Sequence, residues 1–216
     1  MSLERMNDFF AARIDIYEEH MMSGDWGYKE ACVEISKYVR PKTKHILDLG
    51  CGSGLELHEI FKIFPSIAVT GIDLTQVMLD KLAEKYPTKN IKLICGSYFN
   101  VDFGSKVFDA AISCETLHHF SHEEKLKLYS RIWKSLKSSG RYIECDYMVA
   151  EQSEEDNYFA ENKRIRMEQG IAEGEFYHYD TPCTVDNQIK LLLNAGFRKV
   201  YQVFRKFDTT ILIADK

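Results

Sequence analysis

Apolar positions recur at helical spacing through residues 3–22, at Leu3, Met6, Phe9, Phe10, Ile14, Tyr17 and Met21, and predict a helical stretch there. A second helix is expected over Tyr28–Val39, ahead of Pro41, with Ser23-Gly24-Asp25-Trp26-Gly27 as the turn between them. From His45 the pattern changes to short continuous apolar runs, read as strands: His45–Leu49, Ile67–Ile72, Ile91–Cys95, Phe108–Cys114 and Arg141–Cys145. Amphipathic segments fall between these runs. Leu55–Phe64 ends before Pro65, and Thr75 can cap a helix that runs to Tyr86 and stops at Pro87. Ser121-His122-Glu123-Glu124 is a capping box opening a helix expected to end at Gly140.

Strand and helix thus alternate through residues 45–145. Parallel strands need crossovers and helices supply them, so the pattern predicts a doubly wound α/β sheet. Runs without alternation fit strands covered on both faces. Residues 150–183 break the rhythm: they are polar, charged and aromatic, with a helix expected over Asn157–Gln169. They read as an insertion over one end of the sheet. A helix over Val185–Asn194 closes at Gly196, and strands over Phe197–Phe207 and Thr209–Ala214 have only Asp208 between them. So short a link permits antiparallel pairing but no helical crossover.

The 216 residues, 45% of them hydrophobic, are expected to form one domain, with a helical cover at 1–40 and a lid insertion at 150–183. Lys and Arg total 28 against 33 Asp and Glu, and a net charge of −5 gives no general attraction to nucleic acid. No stretch approaches the ~20 apolar residues of a membrane span. The N-terminus carries charge early and lacks an apolar signal core, so the expected location is the cytoplasm. None of the six cysteines lies in a C-x-x-C pair, which argues against a structural zinc site and for small buried hydrophobes.

The strongest chemical signal is His45-Ile46-Leu47-Asp48-Leu49-Gly50-Cys51-Gly52-Ser53-Gly54. Glycines at alternate positions let the chain turn sharply and approach a ligand, and the following helix presents free N–H groups. In open α/β sheets ligands bind beyond the C-terminal ends of the strands. The second signal is Asp73, at the end of the second strand and 19 residues after Gly54, where an acid can accept from both ribose hydroxyls. Its simpler reading is a helix cap.

D-L-G-C-G-S-G followed by an acid ending strand two resembles the class I S-adenosylmethionine-dependent methyltransferases. Cys95-Gly96-Ser97-Tyr98, Phe108-Asp109-Ala110-Ala111-Ile112-Ser113, Leu117-His118-His119-Phe120, Ser139-Gly140-Arg141-Tyr142 and Asn194-Ala195-Gly196-Phe197 are similar to further motifs of that family. The resemblance implies a seven-stranded, mostly parallel sheet of order 3-2-1-4-5-7-6 with strand seven antiparallel. It also implies S-adenosyl-L-methionine as cofactor and methyl transfer to a small-molecule acceptor. Carried onto this chain, the cofactor-binding positions are Asp48, Gly50, Cys51, Gly52, Gly54, Asp73, Leu74, Gly96, Ser97, Tyr98 and Cys114. Ser97 stands where the family often has an adenine-binding Asp.

The acceptor side is less legible. Methyl transfer from a sulfonium is an in-line displacement that rests on positioning and desolvation. A base is required only where the acceptor must lose a proton. Glu115, His118, His119, Asp146 and Tyr147 follow strands four and five, and adjacent His118 and His119 are expected to point different ways. His118, Tyr17 and Tyr147 are the expected catalytic residues, with no metal, and Tyr177 or Tyr179 is expected to approach the methyl group. Alternatives are a tRNA or protein methyltransferase and a non-catalytic cofactor-binding regulator. A nicotinamide oxidoreductase is disfavoured by the glycine spacing. Neither a nucleic-acid nor a membrane partner is expected, and the sequence leaves oligomeric state open.

Overall fold

A computed structural model describes residues 2–216. Strands β1 (His45–Leu49), β2 (Ala68–Asp73), β3 (Ile91–Cys95) and β4 (Phe108–Cys114) alternate with helices α4 (Leu55–Ile63) and α5 (Gln76–Lys85). Helix α6 (His122–Ser135) then leads into β5 (Leu136–Val149). Three helices precede β1: α1 (Met6–Ala11), α2 (Ile14–Ser23) and α3 (Tyr28–Tyr38). After β5 come α7 (Gln152–Glu168), a two-residue β6 (Cys183–Thr184), α8 (Val185–Asn194), β7 (Lys199–Lys206) and β8 (Thr209–Asp215).

The sheet runs β3-β2-β1-β4-β5-β8-β7, parallel except for β8, which is antiparallel to both β5 and β7. With β8 as the seventh long strand, this is the order implied by the family resemblance. The short β6 is an addition, paired parallel with β5 off the main path. Among the described residues, no helix is long and apolar enough to cross a membrane.

Both faces of the sheet are covered, and side chains divide between them with period two. Ile46, Ala110, Ile112, Ile211 and Ile213 pack with Ile35, Leu57, Ile60 and Leu79 beneath α3, α4 and α5. Leu47, Leu49, Ala111, Leu212 and Ala214 pack with Leu128, Tyr129, Ile132 and Leu192 beneath α6 and α8.

Three local expectations change. The stretch over residues 3–22 breaks between α1 and α2 at Ala12 and Arg13, so the two short helices present different faces to the strand ends. Thr75 takes the N-cap position of α5 but makes no side-chain cap bond; its N–H donates instead to Asp73 Oδ1 at 2.8 Å. Helix α6 ends at Ser135, and the chain is already extended at Leu136, opposite Phe108. Five cysteines are buried as small core side chains, whereas Cys95 is exposed.

The N-terminus is zipped to the segment after α7. Met6 N–H donates to Phe176 O and His178 N–H to Glu4 O, each at 3.0 Å, around an antiparallel bridge between Arg5 and Tyr177.

Candidate active site

The glycine loop turns directly off β1. Gly50 and Cys51 N–H groups both donate to Ile72 O, and Gly50 (φ +68) stands so close to Thr116 that any Cβ would collide with it. Gly52 (φ +47) differs: a Cβ there meets nothing nearer than the Tyr17 hydroxyl, at 3.8 Å. The space above Gly52 is therefore open to a ligand and roofed by Tyr17.

Asp73 ties this loop to the end of β2. Its Oδ2 accepts from Gly52 N–H at 2.9 Å and its Oδ1 from Thr75 N–H at 2.8 Å. Burial pushes its pKa up, against the pull of those N–H groups. Each oxygen keeps a lone pair for a ligand hydroxyl. Asp73, Leu74, Gly96, Ser97 and Tyr98 line one small cavity of about 50 Å³, walled also by Phe10, Phe120 and Phe176. Ser97 Oγ accepts from Phe99 N–H at 3.2 Å, leaving its own O–H available.

A third feature was anticipated only in its first member, Asp48. Asp48 and Glu56 are 1% and 4% exposed and lie beside one another. Burial raises both pKa values. Asp48 Oδ2, Glu56 Oε1 and Ser53 Oγ are buried without hydrogen-bond partners. Such orphaned acceptors are costly and suit a cationic group, and the amino group of a methionyl tail is one. The residues therefore fit S-adenosylmethionine. Glu56 was missed because, inside the amphipathic run Leu55–Phe64, it reads as an ordinary polar helix position.

Asp48, Cys51, Gly52, Gly54 and Cys114, all expected at the cofactor, line neither cavity described here. Cys51 Sγ packs against Gly71, and Gly54 caps α4 against Leu82. Cys114 lies in the core near Cys32 and Cys145, on the face beneath α3.

A larger cavity of about 700 Å³ adjoins the loop. It is lined by Phe9, Phe10, Ile16, Tyr17 and Trp26 from the N-terminal segment, by Glu115, His118, His119 and Tyr147 from the strand ends, and by His178 and Asp180. His118 is held firmly: Nδ1 lies 2.5 Å from Asp146 Oδ1, and Asp146 also accepts from the Leu117 and Tyr147 N–H groups, each at 3.0 Å. Burial opposes charge on His118, but Asp146, Asp180 and Glu115 outweigh it and push its pKa up to about 9. Burial, with Asp146 nearby, raises Glu115 to about 7. Burial and His118 lower His119, and burial lowers His178 to about 4. Glu115 adopts φ +49, turning the chain out of β4.

His118 and His119 both face this cavity, contrary to expectation, with ring centroids 4.0 Å apart. They lie in the turn after β4, where the alternation of a strand no longer holds. Tyr177 and Tyr179 do not line the cavity; His178 and Asp180 do. Tyr177 forms the antiparallel bridge with Arg5, and His178 and Asp180 beyond it turn toward the cavity. Tyr147 walls the cavity, its ring edge-on to His118 at 5.9 Å and its hydroxyl 2.9 Å from that of Tyr158. His118, His119 and Asp180 lie close enough to hold a metal ion. His119 Nδ1 stands 3.2 Å from the Tyr179 carbonyl and 3.3 Å from Asp180 Oδ1.

A doubly wound sheet, a glycine loop at the end of β1, an acid ending β2 and orphaned acceptors for a cation define an S-adenosylmethionine-binding fold of the methyltransferase kind. Residues 46–140 match the family model described as a methyltransferase domain. Carboxy-S-adenosyl-L-methionine synthase of Campylobacter fetus is 25% identical, over 84% of this chain and 81% of that protein. Phosphoethanolamine N-methyltransferase of Plasmodium falciparum is 26% identical, over 75% of this chain and 61% of that protein. A Nostoc punctiforme structure assigned as an O-methyltransferase superposes with a TM-score of 0.74 at 19% identity. It covers all of this chain, which spans 63% of the Nostoc chain. Residues 46–140 thus match a methyltransferase domain, and the fold is that of the class I S-adenosylmethionine-dependent methyltransferases, whose cofactor is S-adenosylmethionine.

Proposed function

We propose that the protein transfers the methyl group to a small amine bound in the large cavity. One observation carries this reading. At the buried end of the cavity three carboxylates, Glu115, Asp146 and Asp180, surround a single imidazolium, His118. That end keeps a negative excess which an ammonium neutralises, and aromatic rings line the walls. Of the other charged groups there, Arg13 is already paired with Glu4, and Asp208 with Arg205.

When bound, the cofactor supplies a methyl group already activated on a sulfonium. The chain's residues do the rest. Asp73 holds the ribose hydroxyls, and Asp48 with Glu56 holds the amino group of the tail. Tyr17 covers the loop above Gly52 and keeps water from the sulfonium. Tyr147 and the rings of Phe9 and Phe10 wall the acceptor. His118, fixed by Asp146, sets the acceptor's position. Glu115 accepts the proton that the ammonium must lose before its lone pair can attack, since a pKa of about 7 leaves it substantially ionised at neutral pH. The N-terminal helices and residues 150–183 act as a lid over this site, hydrogen-bonded to each other through residues 4–6 and 176–178.

The name of the Plasmodium relative states N-methylation, which agrees with this reading. The name of the Campylobacter relative states formation of a carboxylated cofactor. An extra carboxylate beside the sulfonium would meet Glu115 and Asp180 here, so the charge of the site disfavours that product. The test is transfer of labelled methyl from S-adenosylmethionine to a panel of primary amines, phenols and carboxylic acids. Labelling of amines is expected, and labelling of acids or phenols alone would overturn the proposal.

A further inference from the structure

The large cavity is polar where it is buried, and at its mouth exposed apolar side chains stand among Arg13, His20 and Asp208. Glu115, His118 and His119 stand at the deep end, whereas Ile16 and Phe207 line the mouth at 61% and 65% exposure. Met21 and Trp26 continue the apolar wall between them. Large apolar side chains left this exposed are uncommon on a folded surface unless something covers them.

Phe207 is also in the wrong place for its own backbone. It occupies the first position of the two-residue turn joining β7 to β8 and adopts φ +52. Glycine or asparagine suits that position, and a bulky ring there is an outlier. Lys206 Nζ lies 6.0 Å from its ring centroid, at the limit of usefulness, and is paired with Asp25 and Glu30. A bulky residue that breaks a local rule and stays 65% exposed points to use by a ligand.

We infer that the acceptor is an amphiphile, with its amine at the Glu115–His118 end and an apolar chain leaving between Ile16 and Phe207, and that Phe207 determines specificity for that chain. This rests on the amine reading of the same cavity. A short hydrophilic amine would leave the apolar mouth wet, whereas a chain of several carbons buries the exposed faces of both side chains.

Phe207→Asn separates this from a structural role, because asparagine tolerates the left-handed backbone. Its melting temperature should equal or exceed that of the wild type. Calorimetric titration of n-butylamine, n-hexylamine and n-octylamine into protein saturated with S-adenosylhomocysteine then reads the chain. Full burial of a methylene strengthens binding roughly fourfold, and half burial at a rim roughly twofold. Wild-type affinity should therefore rise about 16-fold or more from butyl to octyl, and in Phe207→Asn the rise should largely vanish. Equal slopes in the two proteins, a flat wild-type series, or a lowered melting temperature in the variant would each overturn the inference while leaving the amine reading standing. Failure of all three amines to bind a protein that does bind S-adenosylhomocysteine would overturn the amine reading and this inference with it.

Discussion

Glu56→Gln is expected to weaken cofactor binding and strengthen the empty fold at once. In the wild type the Asp48–Glu56 pair is buried, and Asp48 Oδ2 and Glu56 Oε1 have no hydrogen-bond partner. Folding therefore disfavours ionisation. A carboxyl whose folded pKa is raised destabilises the protein as pH climbs above its unfolded value, near 4.5 for Glu56. Gln carries no charge to bury and can donate its amide hydrogen to Asp48. At pH 7 the apo variant should thus melt at the same or a higher temperature. Binding changes with the opposite sign. The variant loses one charge-assisted hydrogen bond to the ammonium of the tail, which contributes roughly 1.5–3 kcal/mol, so S-adenosylhomocysteine should bind roughly 10- to 150-fold more weakly. The assay is calorimetry alongside thermal melts with and without ligand. Wild-type affinity in the variant would show that the tail lies elsewhere. A several-degree loss in the apo melt would show that Glu56 is structural, and either result refutes the argument.

Asp73→Ala should also cost roughly 10- to 150-fold in affinity for S-adenosylhomocysteine, since a buried acceptor for two hydroxyls is lost; unchanged affinity in a folded variant would place the ribose elsewhere. Gly52→Val should abolish that binding and leave the sheet intact by circular dichroism, because the space above Gly52 belongs to the ligand and its φ of +47 resists a β-branched residue. Turnover of an amine acceptor should rise with pH through about 7 as Glu115 ionises, and the limb should disappear in Glu115→Gln; an unaltered profile would exclude Glu115 as proton acceptor. S-adenosylhomocysteine should slow amide exchange in α1, α2 and residues 171–181 as well as in the glycine loop; protection confined to residues 46–56 and 71–75 would mean that these segments do not close over the site.

The sheet was legible because parallel strands covered on both faces must be apolar throughout. The runs at His45, Ile91 and Phe108 end where the structure ends them. The Ser121 capping box was legible for the same reason: its four residues satisfy one another locally, Glu124 N–H donating to Ser121 Oγ and Ser121 N–H to Glu124 Oε2. Helix α6 ended early because opposite Phe108 the strand ladder claims Leu136 first, a tertiary contact that no local pattern announces. The break at Ala12 and Arg13 has a similar origin, since α1 must reach Phe176 while α2 lies over Gly52.

The site divides along the same line. Residues that touch the cofactor through the backbone, such as Gly50 and Gly52, leave a mark because only glycine accepts their conformation. Residues that act by side-chain charge at long range leave none. Asp180 is 62 positions from His118 and reaches it only because a hydrogen-bonded zipper of residues 4–6 with 176–178 fixes the phase of that segment. A shift of one residue in that register would turn Tyr177 and Tyr179 inward and put His178 and Asp180 outside. The negative excess that selects an ammonium would then be lost with no change in the glycine loop or in Asp73. Acceptor charge in this fold is therefore set by the pairing of its first residues with its insertion, a choice separate from the one that binds the cofactor.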